Sequence, residues 1–161
     1  MRISGKSILK PRTLEILEII TVGFPFCSFK YLSGLLLIQQ KAMIPLGVFL
    51  LSIGTLDFIL NAIHFFSLIF TNKRKTPICI LSFIFKRIKY HNYQLENVGI
   101  ALDVAFSFLI VALMIAFTGI SRLQPNEIIL WNASVVFNVI GAGMSRLAFS
   151  VSEIVEKILK R

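Results

Sequence analysis

Catalytic chemistry has little to work with in this chain. Two histidines (His64 and His91), two cysteines and one tryptophan occur in 161 residues. No CxxC or Cys/His cluster is present, which excludes the common zinc and redox frameworks. HExxH, heme-type CxxCH, a glycine-rich phosphate loop and a nucleophile elbow are also missing. The sequence therefore predicts no cofactor and no metal. Cys27 falls in an apolar stretch and Cys79 in a basic connecting segment, so both read as free thiols. Glu15 and Glu18, three residues apart, resemble a catalytic pair. At a helix start they are better read as offsetting the macrodipole and pairing with Arg12. Gly141–Gly143 follows no strand and signals helix packing, not nucleotide binding. His91, in Tyr90-His91-Asn92-Tyr93, suits an aromatic loop anchored at a membrane interface.

Acidic residues are scarce too: eight against 17 basic, a net charge of +9. In a soluble protein that balance points to nucleic acid. Here the basic residues cluster at the ends of apolar runs and no separate basic domain exists. Anionic lipid headgroups are the predicted partner and nucleic acid is excluded. Apolar residues are what the chain has in quantity: they make up 56% of it, 15 of them Phe, and mean hydropathy is +0.81. A single soluble domain of this size cannot hide that much apolar surface. The positive start Met1–Lys6 is that of a signal peptide, but Glu15 and Glu18 break the apolar region after it and no cleavage site follows. The segment is read as retained.

Four stretches are long enough to cross a bilayer: about 16–38, 43–70, 98–120 and 127–150. The second would be about 43 Å long, more than the roughly 30 Å hydrocarbon core, so it must tilt or emerge. Residues 13–22 suit either an amphipathic surface helix or the start of the first span, with a bend near Pro25. Lys and Arg number four before the first span, six between the second and third (Lys73, Arg74, Lys75, Lys86, Arg87, Lys89) and three after the fourth. The opposite side has only Lys41 and Arg122. By the positive-inside rule both termini and the basic loop 72–97 are cytoplasmic. The predicted fold is an all-α membrane protein, a four-transmembrane-helix bundle of two antiparallel hairpins. The short apolar run Ile78–Phe85, leading into Lys86, is predicted to lie on the membrane surface between the second and third helices.

Charged residues inside the spans are the main functional signal, because a charge at bilayer depth needs a partner or a cavity. Asp57, Asn61 and His64 fall within about 60° of one another on one helix face, with Gly47 and Gly54 nearby, so this face should point inward. Gly99, Asp103 and Ser107 line the third span. Ser134, Asn138, Gly141 and Ser145 line the fourth. A hairpin turning near Leu123 sets Asp103 level with Arg146 to about 3 Å, which predicts an Asp103–Arg146 ion pair. Lys30 is the only basic residue near Asp57 in depth; the same arithmetic sets it level with residue 51, about 9 Å from Asp57, which leaves that pairing open as a second, longer one. Asp57, Asn61, His64 and Asn138 form the candidate intramembrane polar site.

Three functions compete on this basis. The first is a non-catalytic integral membrane protein, a small subunit or scaffold of a membrane complex, with a partner membrane protein or a second copy. The second is a small oligomeric proton-coupled transporter or channel using Asp57, Asn61 and His64. The third is a lipid-modifying enzyme with Asp103, Arg146 and His64 at the headgroups, disfavoured because no nucleophile–base pair exists. Short loops and the retained N-terminus suit a bacterial inner (plasma) membrane.

Overall fold

The computed structural model describes residues 11–41, 43–71, 79–88, 93–117 and 119–159, with side chains left out at 11, 12, 14, 85–88, 93–97, 142 and 145–159. Lys73, Arg74, Lys75, Lys89 and His91, and the side chains of Lys86, Arg87 and Arg146, lie outside the described residues. Every regular element described is helical: α1 (Pro11–Glu18), α2 (Phe24–Gln39), α3 (Ile44–Thr71), α4 (Ile80–Ile88), α5 (Tyr93–Ala116) and α6 (Pro125–Leu159). Three stretches among the described residues are long and apolar enough to cross a membrane: Glu15–Gln39, Ile44–Thr71 and Val98–Ala116.

α1 and α2 form one path joined by a π-helical turn, Ile19–Gly23. Its position follows from Pro25, which has no N–H for the carbonyl four residues back and whose ring crowds that carbonyl, so the ladder widens there. Thr21 donates its hydroxyl to the Leu17 carbonyl at 2.8 Å, and its side chain lies where a Cβ on Gly141 of α6 would fall. α2 is the central helix. Of its apolar window 61% is buried, against 28% for α3 and for α5. α3, α5 and α6 all pack on α2.

The α2–α3 contact is close because glycine lets it be. A Cβ at Gly34 would sit 2.6 Å from the Leu51 nitrogen and 2.7 Å from the Gly47 oxygen. α3 buries Gly47, Leu50, Gly54, Asp57, Asn61, His64 and Leu68. That spacing of three and four is one inward stripe of a helix. The hydrophobic core gathers Phe26, Phe29, Leu32 and Leu36 of α2 with Leu50, Ile110, Met114, Leu123 and Trp131. Phe29 and Trp131 meet with ring centroids 4.9 Å apart.

The turns after α2 and before α6 lie together: Gln39 donates to Glu127 at 3.0 Å and Arg122 to Gln40 at 3.1 Å. Lys41 and Met43 take left-handed backbone (φ 53° and 49°) to make the first turn tight. Pro25's counterpart at the start of α6 is Pro125, in the first helical position where its missing N–H costs nothing. Glu127 then reaches back to accept from the Gln124 amide at 2.7 Å, half of a capping box.

Two boundaries and one placement differ from the sequence reading. α5 starts at Tyr93 and ends at Ala116, before a 3-10 turn at Gly119–Arg122, so the stretch 98–120 is not one helix. α6 runs on to Leu159, since nothing between 150 and 159 is Gly or Pro to stop it. The segment expected on the membrane surface is instead inserted at its N-terminal end. Cys79 and Ser82 are buried, and α4 packs along α5 with some contact to α3. The physical reason is Gly99 on α5: a Cβ there would lie 2.8–2.9 Å from the Ser82 backbone, so only glycine admits α4 so closely.

Candidate functional site

Three helices bring one cation and two carboxylates together inside the bundle. Lys30 of α2 donates to Asp57 Oδ2 of α3 at 2.6 Å and to Asp103 Oδ1 of α5 at 2.5 Å. Exposure is 0% for Lys30, 1% for Asp57 and 8% for Asp103, so this is a charge cluster removed from bulk solvent. Charge-assisted hydrogen bonds of this length are the strong kind.

A fourth group completes one end. The Ile80 amide, at the start of α4, donates to Asp57 Oδ1 at 2.7 Å. Amides in the first turn of a helix have no partner in that helix, and the helix dipole favours an anion beside them. Asp57 lies fourteen residues before Thr71, so α4 begins about 21 Å back along α3 from its end. Thus the inserted helix has its N-terminus at the depth of the charge cluster. Such half-helix termini are how buried anions are commonly held within membrane bundles.

The neighbouring polar groups sit on the same α3 stripe. Asn61 donates to the Asp57 carbonyl at 2.9 Å and lies 3.5 Å from Cys27 Sγ. His64, one turn further, is fully buried. Ser107 donates to the Asp103 carbonyl at 2.8 Å, back-bonding within α5. Beyond Asp103 lies a cavity of about 50 Å³, bounded by Glu18, Gly23, Cys27, Asn61, Cys79 and Asp103 among others. Asn138 is half-buried on α6, which packs chiefly on α2 and the π-helical turn, and its Nδ2 has no acceptor among the described residues.

Depth arithmetic on the sequence alone sets Asp103 against Arg146 and leaves Lys30 short of Asp57. In the structure Lys30 meets both acids, and the side chain of Arg146 lies outside the described residues. Two geometrical facts account for the difference. Gly54, not residue 51, lies level with Lys30: a Cβ on Gly54 would be 3.2 Å from the Lys30 Cβ. The four-carbon Lys stem spans the one helical turn that remains. Moreover, α5 packs on α2, and Asp103 faces Lys30. The Ile80 amide is the group sequence reasoning missed. Its only signal was an apolar run too short to cross a bilayer. No group of three His, Cys, Asp or Glu residues able to hold a metal ion occurs among the described residues. Compared with protein families, curated proteins and solved structures, the chain matches none of them.

Proposed function

We propose that this chain is a non-catalytic multi-pass integral membrane protein, a small subunit or scaffold whose buried charge cluster locks its helices in register. In this reading α2, α3, α5 and α6 cross the membrane as two hairpins with the termini and basic loop on the cytoplasmic side of a bacterial inner membrane. The lysine and arginine asymmetry and the meeting of the two short turns at one end support that topology. Lys73, Arg74, Lys75, Lys86, Arg87 and Lys89 would then face anionic headgroups.

One observation carries the scaffold reading: the interior has two zones. On the side away from the short turns lie Lys30, Asp57, Asn61, His64 and Asp103. On the turn side the interior is dominated by Phe29, Leu32, Leu36, Leu50, Met114, Leu123 and Trp131. A conduit needs polar groups along its whole length, and a closed ion cluster backed by packed apolar side chains suits a fastening. Gentle extraction into nanodiscs followed by native mass measurement tests it. The scaffold reading expects a stoichiometric complex with a membrane partner or a second copy, and a lone monomer under those conditions overturns it.

The second reading, a small proton-coupled transporter, draws on one feature of its own. Asp57, Asn61 and His64 are all buried on one stripe of α3, beside a second carboxyl and a polar-edged cavity. Proton flux into proteoliposomes that is abolished by Asp57→Asn favours it, and flux indifferent to that change removes it.

A further inference from the structure

Among the described residues the buried cluster does not balance: two carboxylates face one ammonium, and at this burial an unmatched negative charge is costly. The two acids are also held differently. Asp57 receives a hydrogen bond on each oxygen, from Lys30 and from the Ile80 amide at the start of α4. Asp103 receives one such bond, from Lys30, on Oδ1. It also lines the cavity that runs past Asn61 and Cys79 to Glu18, which is exposed.

We infer that Asp103 is a binding site for one exchangeable proton, carried on the oxygen that Lys30 leaves free, with Lys30 and Asp57 forming a neutral pair beside it. This assignment requires no transport and holds under either reading above. The bound state is Asp103–COOH, with Oδ1 still accepting from Lys30. Release gives the carboxylate and passes the proton to water in the cavity, which at about 50 Å³ exceeds the volume a water molecule needs. Among the residues with described side chains, the titratable neighbours are Cys27 and Lys30 from α2, Asp57 and His64 from α3, Cys79 ahead of α4, and Glu18 from α1. α6 brings none among its residues with described side chains, Glu127 being at the far end beside Gln39.

Infrared difference spectroscopy of the full chain in lipid nanodiscs reads the site directly. At neutral pH the wild type is expected to show the C=O band of one protonated carboxyl that shifts in heavy water, and Asp103→Asn is expected to lack it. An absent band in the wild type, or a band that survives Asp103→Asn, overturns the assignment. Asparagine copies the neutral, protonated acid in shape, so Asp103→Asn should fold at neutral pH; failure to fold also counts against the proposal. Sodium or lithium chloride should leave the band in place, and its loss on adding either salt would mean that the site takes a metal cation.

Discussion

Removing the ammonium of Lys30 is the sharpest perturbation of this bundle. Lys30→Met keeps the length and apolar stem of the side chain and strands two buried carboxyls. Their Lys-facing oxygens lie 2.6 and 2.5 Å from the same nitrogen, which places them at most about 5 Å apart. With Asp103 carrying its proton, the charge left without a cation is the Asp57 carboxylate, and Asp103 loses the ammonium from which its Oδ1 accepts. Breaking a buried ion pair by deleting one partner generally costs about 3–5 kcal/mol, and Lys30→Met is expected in that range. The triple variant Lys30→Met, Asp57→Asn, Asp103→Asn strands no charge. It forfeits only interhelical hydrogen bonds worth about 0.6–2 kcal/mol each, so it should be clearly more stable than the single variant. Reversible unfolding in mixed micelles, driven by added dodecyl sulfate and followed by Trp131 fluorescence, measures both. A single variant within about 1 kcal/mol of wild type, or a triple variant no better than the single, would refute the argument that the three side chains form one unit.

Three further outcomes are expected. Gly99→Val pushes a side chain against the Ser82 backbone, and should destabilise the fold by about 1–3 kcal/mol while making buried Cys79 react with maleimide. Unchanged Cys79 protection would mean that α4 is not held by that contact. Trp131, 3% exposed and tilted against Phe29, should emit at short wavelength and resist acrylamide quenching until the bundle unfolds. For the topology, Gln40→Cys should react with a membrane-impermeant maleimide on intact cells, and Lys73→Cys only after permeabilisation; the reverse pattern would invert the orientation.

Periodicity made much of this architecture legible. The stripe from Gly47 to Leu68 on α3 could be read because polar and small residues recur every three or four positions in an otherwise apolar run. The start of α6, at Pro125, falls within two residues of the expected 127, since turn and helix-start chemistry is local. Partnership was not legible. Lys30 lies 27 residues from Asp57 and 73 from Asp103, and which acids it meets depends on the register of one hairpin and on which helix α5 chooses to lean on. A register shift of about three residues moves a side chain by about 4.5 Å, the difference between a missed contact and an ion pair.

α4 shows why a local reading of charge can mislead about depth. Ile78–Phe85 ahead of Lys86 and Arg87 has the pattern of an interfacial helix, because periodicity describes the faces of a helix and not its ends. What draws its N-terminus inward is a terminal property. The Ile80 amide needs an acceptor, Asp57 needs a second donor, and Gly99 leaves room for the backbone that carries one to the other. Each requirement alone is weak evidence. Together they make the inserted helix part of the charge cluster, because withdrawing α4 would leave Asp57 with Lys30 as its only donor among the described residues while Lys30 still served Asp103.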